Sequence, residues 1–338
     1  MTSLRRIAGF QSKCIDSQLL PATLLQLFQQ RGLDQEQLLR GTKLFATDIE
    51  AGAAISSEQL LKLLLRAQQM WPGPDLAFAL AQHWLGSQSG PLTNGLVCAP
   101  TLGHALALWH RYHWLTQPWL NLRHWRCDDT EHWLINIDLG LEPIAPLLME
   151  LCCASLTATL KRLGLASVDW QFGFPHRRPN HWHQYDKYLG GQLQFEFPAF
   201  KLSLSRQALS RPLPMADATA YQLAWQQTRR ALTQQPLRHG LPATIRHRLY
   251  QQPGLTLPEM ALHLQTSPAT LKRRLSQHHT SYQKLQDQAR LNQALYLLTK
   301  EGACNRDIAH KLQFADVGNF RRSFKRWTGF LPSQLIHN

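Results

Sequence analysis

Two stretches near the end of the chain repeat one another, and few folds accommodate such a repeat. Residues 256–275 read TLPEMALHLQTSPATLKRRL and residues 305–327 read NRDIAHKLQFADVGNFRRSFKRW. Ala261, Leu264 and Gln265 recur 48 positions later as Ala309, Leu312 and Gln313. Leu271 and Leu275 recur 49 positions later as Phe320 and Phe324, so the second turn is one residue longer. Each copy predicts a short helix, a tight turn and a second helix. Thr256 with Glu259 predicts a capping box around Pro258, and Ser267 caps the next helix with Pro268 at its first position. In the second copy Asn305 and Asp316 are the expected caps, while Gly329 and Pro332 stop the last helix. Ala261 and Ala309 fall where two helices must approach closely. A linker helix, about residues 282–299, joins the copies, with Leu285, Ala289, Leu295 and Leu298 at helical spacing.

The last helix has an apolar stripe, Phe320, Phe324 and Trp327, and a basic remainder, Asn319, Arg321, Arg322, Lys325 and Arg326. On pattern alone that describes either a solvated surface helix or a helix presented to a DNA major groove. The repeat favours the second reading. Ala269, Lys272, Arg273 and Gln277 in the first copy, and Gly318, Asn319 and Arg322 in the second, are then the groove-facing candidates. Arg273 and Arg322 carry the fork that pairs with guanine. Ser267, Thr270, Lys325 and Arg326 lie at helix starts or flanks, where phosphates are met. A rigid linker predicts two short elements about 10 bp apart. Charge agrees: the net charge is +14, and residues 240–338 hold 14 Lys and Arg against 5 Asp and Glu. The excess concentrates in the smaller part, which favours a polyanion partner.

Residues 255–336 resemble the DNA-binding domain of the AraC/XylS family of transcriptional regulators. The residues concerned are the A-x-x-L-x-x-S-P-x-x-L-x-R-x-L run from Ala261, and Arg290, Leu291, Ala294, Leu297 and Leu298 in the linker. I-A-x-x-L-x-F from Ile308 and N-F-R-R-S-F-K-R-W-T-G-F-L-P from Asn319 complete them. The family usually has Gly where this chain has Gln313. It often has Ser at the positions of Gly318 and Leu331. Residues 20–215 resemble the N-terminal sensor domain of one branch of the same family. That likeness rests on A-P-T-L-G-H-A-L (residues 99–106), W-H-R-Y-H after it, Tyr185, F-E-F-P and S-R-P-L-P (residues 210–214).

Upstream, helices are expected at about 22–30, from Asp34, over 57–71 with Leu60, Leu61, Leu64 and Leu65 inward, and over 75–84. Residues 90–100 read as a loop and 101–115 as a helix. Period-two alternation at Leu120, Leu122, Trp133, Ile135 and Ile137, split by Asp128-Asp129, predicts a hairpin. A helix over 146–163 and strand-like runs at 168–172, 192–197 and 202–204 follow, with a short helix near Tyr185. The expected organisation is an arm (1–20), an α+β sensor and dimerisation domain (20–215), a helical connector (216–241) and an all-α DNA-binding domain (242–338). That last domain carries two helix-turn-helix units, about 256–279 and 305–327, joined by the linker helix.

His176, His181 and His183 invite a metal reading, but no Cys or carboxylate joins them at ligand spacing, so ordinary histidines are preferred. The aromatics from Trp109 to Trp133 are either core or a pocket lining, core being preferred. No G-x-S-x-G, H-E-x-x-H, Walker loop or G-x-G-x-x-G occurs, so no enzyme, cofactor or metal is expected. Six cysteines without C-x-x-C predict reduced thiols in the cytoplasm. No apolar run approaches a membrane span, and Gln11, Ser12, Lys13 and Asp16 interrupt any signal-peptide core. The reading is a sequence-specific DNA-binding transcriptional regulator with an unknown small-molecule effector, a second copy and RNA polymerase as further partners. An effector-independent architectural protein, or an enzyme fused to a DNA-binding domain, are the alternatives.

Overall fold

The computed structural model describes residues 7–84, 90–165, 168–237 and 239–334. The chain begins β1 (Lys13–Asp16), α1 (Leu20–Gln30), α2 (Gln35–Leu39), α3 (Ala46–Glu50), β2 (Ala54–Ser56), α4 (Ser57–Met70), α5 (Leu76–Trp84), α6 (Pro91–Cys98) and α7 (Leu102–Tyr112). It continues β3 (Leu120–Cys127), β4 (Thr130–Ile137), α8 (Ala145–Arg162), β5 (Gln171–Gly173), α9 (Trp182–Tyr188), β6 (Gln192–Gln194), β7 (Phe200–Ser205), α10 (Arg206–Leu209) and α11 (Ala218–Gln234). The rest is helical: α12 (Leu241–Gln251), α13 (Leu257–His263), α14 (Pro268–Gln277), α15 (Tyr282–Lys300), α16 (Asn305–Lys311) and α17 (Val317–Thr328). An α+β domain therefore precedes an all-α one.

The main sheet has the order β3-β4-β7-β5-β6, antiparallel except for β5 with β6. Asp128, at φ 48°, turns the β3–β4 hairpin where the sequence placed it. Trp109, Tyr112, Trp119, Trp125 and Trp133 are buried, as a core reading requires. His176 and His181, near Trp182, join a hydrogen-bonded network around the buried Glu150. Tyr185 Oη donates to Glu150 Oε1 at 2.6 Å, His181 Nε2 lies 3.1 Å from the same oxygen, and His176 Nε2 lies 3.1 Å from Tyr185 Oη.

Several expectations are corrected. Residues 1–6 of the expected arm lie outside the described residues, but from Ile7 onward it is built in. Ile7 and Ala8 are buried, Ala8 bridges Gly240, and β1 pairs with β2. The stretch read as a loop contains α6, because Pro91 opens a helix, its missing N–H being unneeded there. Pro242 sits in the first turn of α12, a helix the sequence did not suggest. On α4, Leu63 is buried and Leu65 is exposed. Cys304, and not Asn305, occupies the cap position of α16. One segment, Glu142–Arg162, is apolar and long enough by composition to cross a membrane, contrary to expectation, but it is mostly buried as a core helix.

The two domains share their cores. Ile7 packs with Ile245, Leu249, Leu264 and Leu275 of the first unit. Trp125, Leu134 and Ala199 pack with Leu291, Leu295, Leu298 and Phe324 around the second. Between them lies a buried polar junction. Arg246 of α12 is fully buried, with Nη1 donating to Gln288 Oε1 at 3.3 Å and Nη2 3.6 Å from Asp138 Oδ1. Asp138, just after β4, also accepts from Ala243 N at 3.1 Å. Gly240 permits this approach: a Cβ there would lie 2.8 Å from Asp138 Oδ2.

Removing one partner of a buried ion pair strands the other charge, at about 3–5 kcal/mol. Arg246→Met is therefore expected to undock the domains and split the calorimetric unfolding transition in two. Adding Asp138→Asn should restore most of the loss. A single, unshifted transition in Arg246→Met would contradict the assignment.

Candidate nucleic-acid interface

Both copies of the repeat make the same turn, bond for bond. In the first, Thr266 N donates to Ala261 O at 2.9 Å and Gln265 N to Leu262 O at 3.0 Å. In the second, Phe314 N donates to Ala309 O at 2.9 Å and Gln313 N to His310 O at 3.0 Å. These bonds satisfy the last carbonyls of α13 and α16. They require a left-handed residue, and Gln265 and Gln313 supply it at φ 53° and 57°. That is the physical reason a glycine suits this position.

Apart from that of α16, the caps are formed as the sequence indicates. Thr256 and Glu259 make a reciprocal capping box on α13, and Ser267 Oγ accepts from Thr270 N at 3.1 Å at the start of α14. Asp316 Oδ1 accepts from Asn319 N at 2.6 Å at the start of α17, and Gly329 ends that helix in the left-handed region. Leu271, Leu275, Phe320 and Phe324 are buried, so the opposite faces of α14 and α17 turn outward.

On α14, Ser267, Ala269, Lys272, Arg273 and Gln277 are exposed and Thr270 is half-buried. The Ser267 and Thr270 hydroxyls are bonded to each other at 2.9 Å. Gln277 lines a cleft against the N-terminal arm, where Phe10 meets the rings of His278 and His279 edge-on. On α17, Arg322 and Lys325 are exposed, and Gly318 and Asn319 are half-buried. A hydrogen-bonded chain runs along this face. Asn319 Nδ2 donates to Asp316 Oδ2 at 2.8 Å, and Arg322 Nη2 donates to Asn319 Oδ1 at 2.6 Å. The chain orients the Arg322 guanidinium outward before any ligand arrives. A Cβ at Gly318 would lie 3.0 Å from Asp316 Oδ1 and crowd that chain. Arg326 is placed differently: its Nη2 pairs with Asp287 Oδ2 at 3.3 Å on α15. No sequence spacing indicated that pair, which joins residues 39 positions apart.

The two units are fastened together. Arg290 of α15 donates to Pro253 O at 3.3 Å beside the first unit and stacks 4.9 Å from the Phe314 ring of the second. The Gln313 side chain lies over Gly254, where a Cβ would collide with its Oε1. Among the described residues no group of three or more His, Cys, Asp or Glu is placed to hold a metal ion.

Two helix-turn-helix units on one linker helix, behind an α+β domain, define a DNA-binding transcription regulator with an N-terminal ligand-binding domain. The chain belongs to the AraC family of transcription regulators. The family's arabinose-binding N-terminal domain matches residues 32–213, and a helix-turn-helix domain matches residues 260–338. The ornithine utilization regulator of Pseudomonas aeruginosa is 30% identical over 324 residues, 92% of this chain and 93% of that protein. The HTH-type transcriptional regulator VqsM of the same organism is 27% identical over 145 residues, 42% of this chain and 43% of that one. The crystal structure of the regulator CdpR, also from Pseudomonas aeruginosa, aligns over 94% of this chain and 97% of its own, with a TM-score of 0.45 and 19% identity.

A non-glycine residue in the left-handed region is strained by about 1–2 kcal/mol. Gln313→Gly is expected to raise stability by about 1 kcal/mol in chemical denaturation, with operator affinity unchanged. A loss of stability would show that the contact of Gln313 with Gly254 outweighs the backbone strain.

Proposed function

We propose that the chain reads a specific duplex DNA sequence with α14 and α17 in successive major grooves, and that residues 20–215 adjust this in response to a small effector. The observation that carries the reading is the pair of equivalent, outward-facing helices, each capped, each basic, and both fastened to α15. In this reading Arg322, held by Asn319, and Arg273 contact base edges, with Ala269, Lys272, Gln277, Gly318 and Asn319 flanking them. Ser267, Thr270 and Lys325 meet phosphates. Arg326 does so only by leaving Asp287. The domain division is that of the sequence, an arm, a sensor, the connector and the DNA-binding domain, with the boundary inside 235–242. We infer further that the protein acts in the cytoplasm as a homodimer that engages RNA polymerase. The names of its relatives, all regulators, support a non-enzymatic role.

The test is selection of bound sequences from random duplexes by the purified chain, then measurement of variants. Arg322→Ala should lose about 1–3 kcal/mol and relax preference at one base pair. Uniform weakening across all sequences would reassign Arg322 to the backbone. Lys325→Ala should leave preference intact and lower the slope of log affinity against log salt by about one. An unchanged slope would remove Lys325 from the phosphate set.

A further inference from the structure

A cleft of about 990 Å³ opens between α7, the β3–β4 hairpin, α10 and α11, lined entirely by residues ahead of the DNA-binding domain. Its inner wall is flat and aromatic. The His124 ring stacks on Trp133 at 4.9 Å and 25°, and His110 lies 5.5 Å from His124. Tyr221 and Trp225 of α11 also line the cleft.

The charges in this cleft do not balance. Among the described residues the lining holds one carboxylate, Glu131, which is buried and already committed: it accepts from His124 Nε2 at 2.6 Å and pairs with Arg126. Arg111 and Arg206 also line the cleft and are exposed, and no ion pair engages either of them among the described residues. Burial pushes the pKa of His110 down to about 4, so its ring is neutral near pH 7. Its Nδ1 is buried and has no hydrogen-bond partner among the described residues. Arg206, and Arg111 whose guanidinium lies 5.9 Å from the Tyr112 ring centroid and makes no ion pair among the described residues, line a cleft with a planar aromatic wall and are complementary to a carboxylate on a planar ring.

The position of the cleft gives occupancy a route to the rest of the chain. Tyr221 and Trp225 sit on α11, and α11 leads through residues 235–240 to α12, which bears Arg246. A ligand gripped between β4 and α11 restrains the segment on which the DNA-binding domain hangs.

We propose that this cleft is an effector site and that its ligand is a carboxylate carried on an aromatic ring. The proposal rests on the sensor reading above and names the site and ligand class for it.

The experiment is calorimetric titration of the full chain with benzoate, phenylacetate and indole-3-acetate, each beside its neutral amide. At least one carboxylate is expected to saturate, about tenfold or more tighter than its amide, since a charge-assisted pair is lost in the amide. Arg111→Gln with Arg206→Gln should reduce that carboxylate to the level of its amide with an unchanged melting temperature, because both side chains are exposed. Trp225→Ala should weaken acid and amide alike. No saturation by any of the three acids, equal binding of acid and amide, or full affinity in the double arginine variant would each overturn the proposal. Operator affinity, measured in the same samples, separates the two readings. Binding that leaves operator affinity unchanged keeps the site and overturns its coupling to DNA. A failure to bind overturns the site and leaves the DNA-binding reading as it stands.

Discussion

One helix, α15, has to satisfy three neighbours at once. Leu285 and Ala289 complete the core of the first helix-turn-helix unit, and Leu291, Leu295 and Leu298 complete that of the second. The second core also takes in Trp125 and Leu134 from the main sheet. A helix that is apolar around most of its circumference is stable only when covered on most sides. The relative placement of the two recognition helices and of the N-terminal domain therefore follows from the packing of this one element. Arg290, Gln313 and the Arg326–Asp287 pair refine that placement, but the exposed pair contributes little energy.

The contact between the domains is specific without being strongly stabilising. Arg123 lies 4.8 Å from the Tyr250 ring and 4.6 Å from the Tyr296 ring, and Asn292 Nδ2 reaches both Asn136 and Tyr250. Arg246 Nη2 faces Asp138 Oδ1 at 3.6 Å, too far for a hydrogen bond, and its Nε and Nη2 have no hydrogen-bond partner among the described residues. Glu142 nearby is buried by both oxygens, and burial raises its pKa to about 7. Such a junction rejects other dockings because any shift strands charges, yet its net stability is reduced by desolvation. A junction of this kind suits a regulator whose domains must hold one arrangement and be able to leave it.

The DNA-binding units were legible in the sequence because their determinants are local. Thr256 with Glu259, Ser267 with Thr270 and Asp316 with Asn319 lie three residues apart, and the apolar stripes repeat within one helix. The left-handed turn was visible only as Gln265 echoed by Gln313, since neither is a glycine. Junction residues carried no such signal. Asp138 and Arg246 are 108 positions apart, as are no residues a periodicity could link, and Trp125 reads as any core tryptophan. The helices α6 and α12 were missed for one shared reason: a proline in the first turn looks like a breaker but starts a helix. The candidate effector cleft assembles four separate elements, and only its aromatic density from Trp109 to Trp133 hinted at it.

If α15 holds the two recognition helices as one rigid reader, the spacing of the two elements they contact on DNA is fixed as well. Footprinting the full chain on its selected operator, with and without 5 bp inserted between the two contacted elements, tests this most directly. A rigid reader on elements about 10 bp apart should lose protection of one element, and affinity should fall to that of a single element. Unchanged protection and affinity on the lengthened operator would show that the units move independently, and would contradict the account.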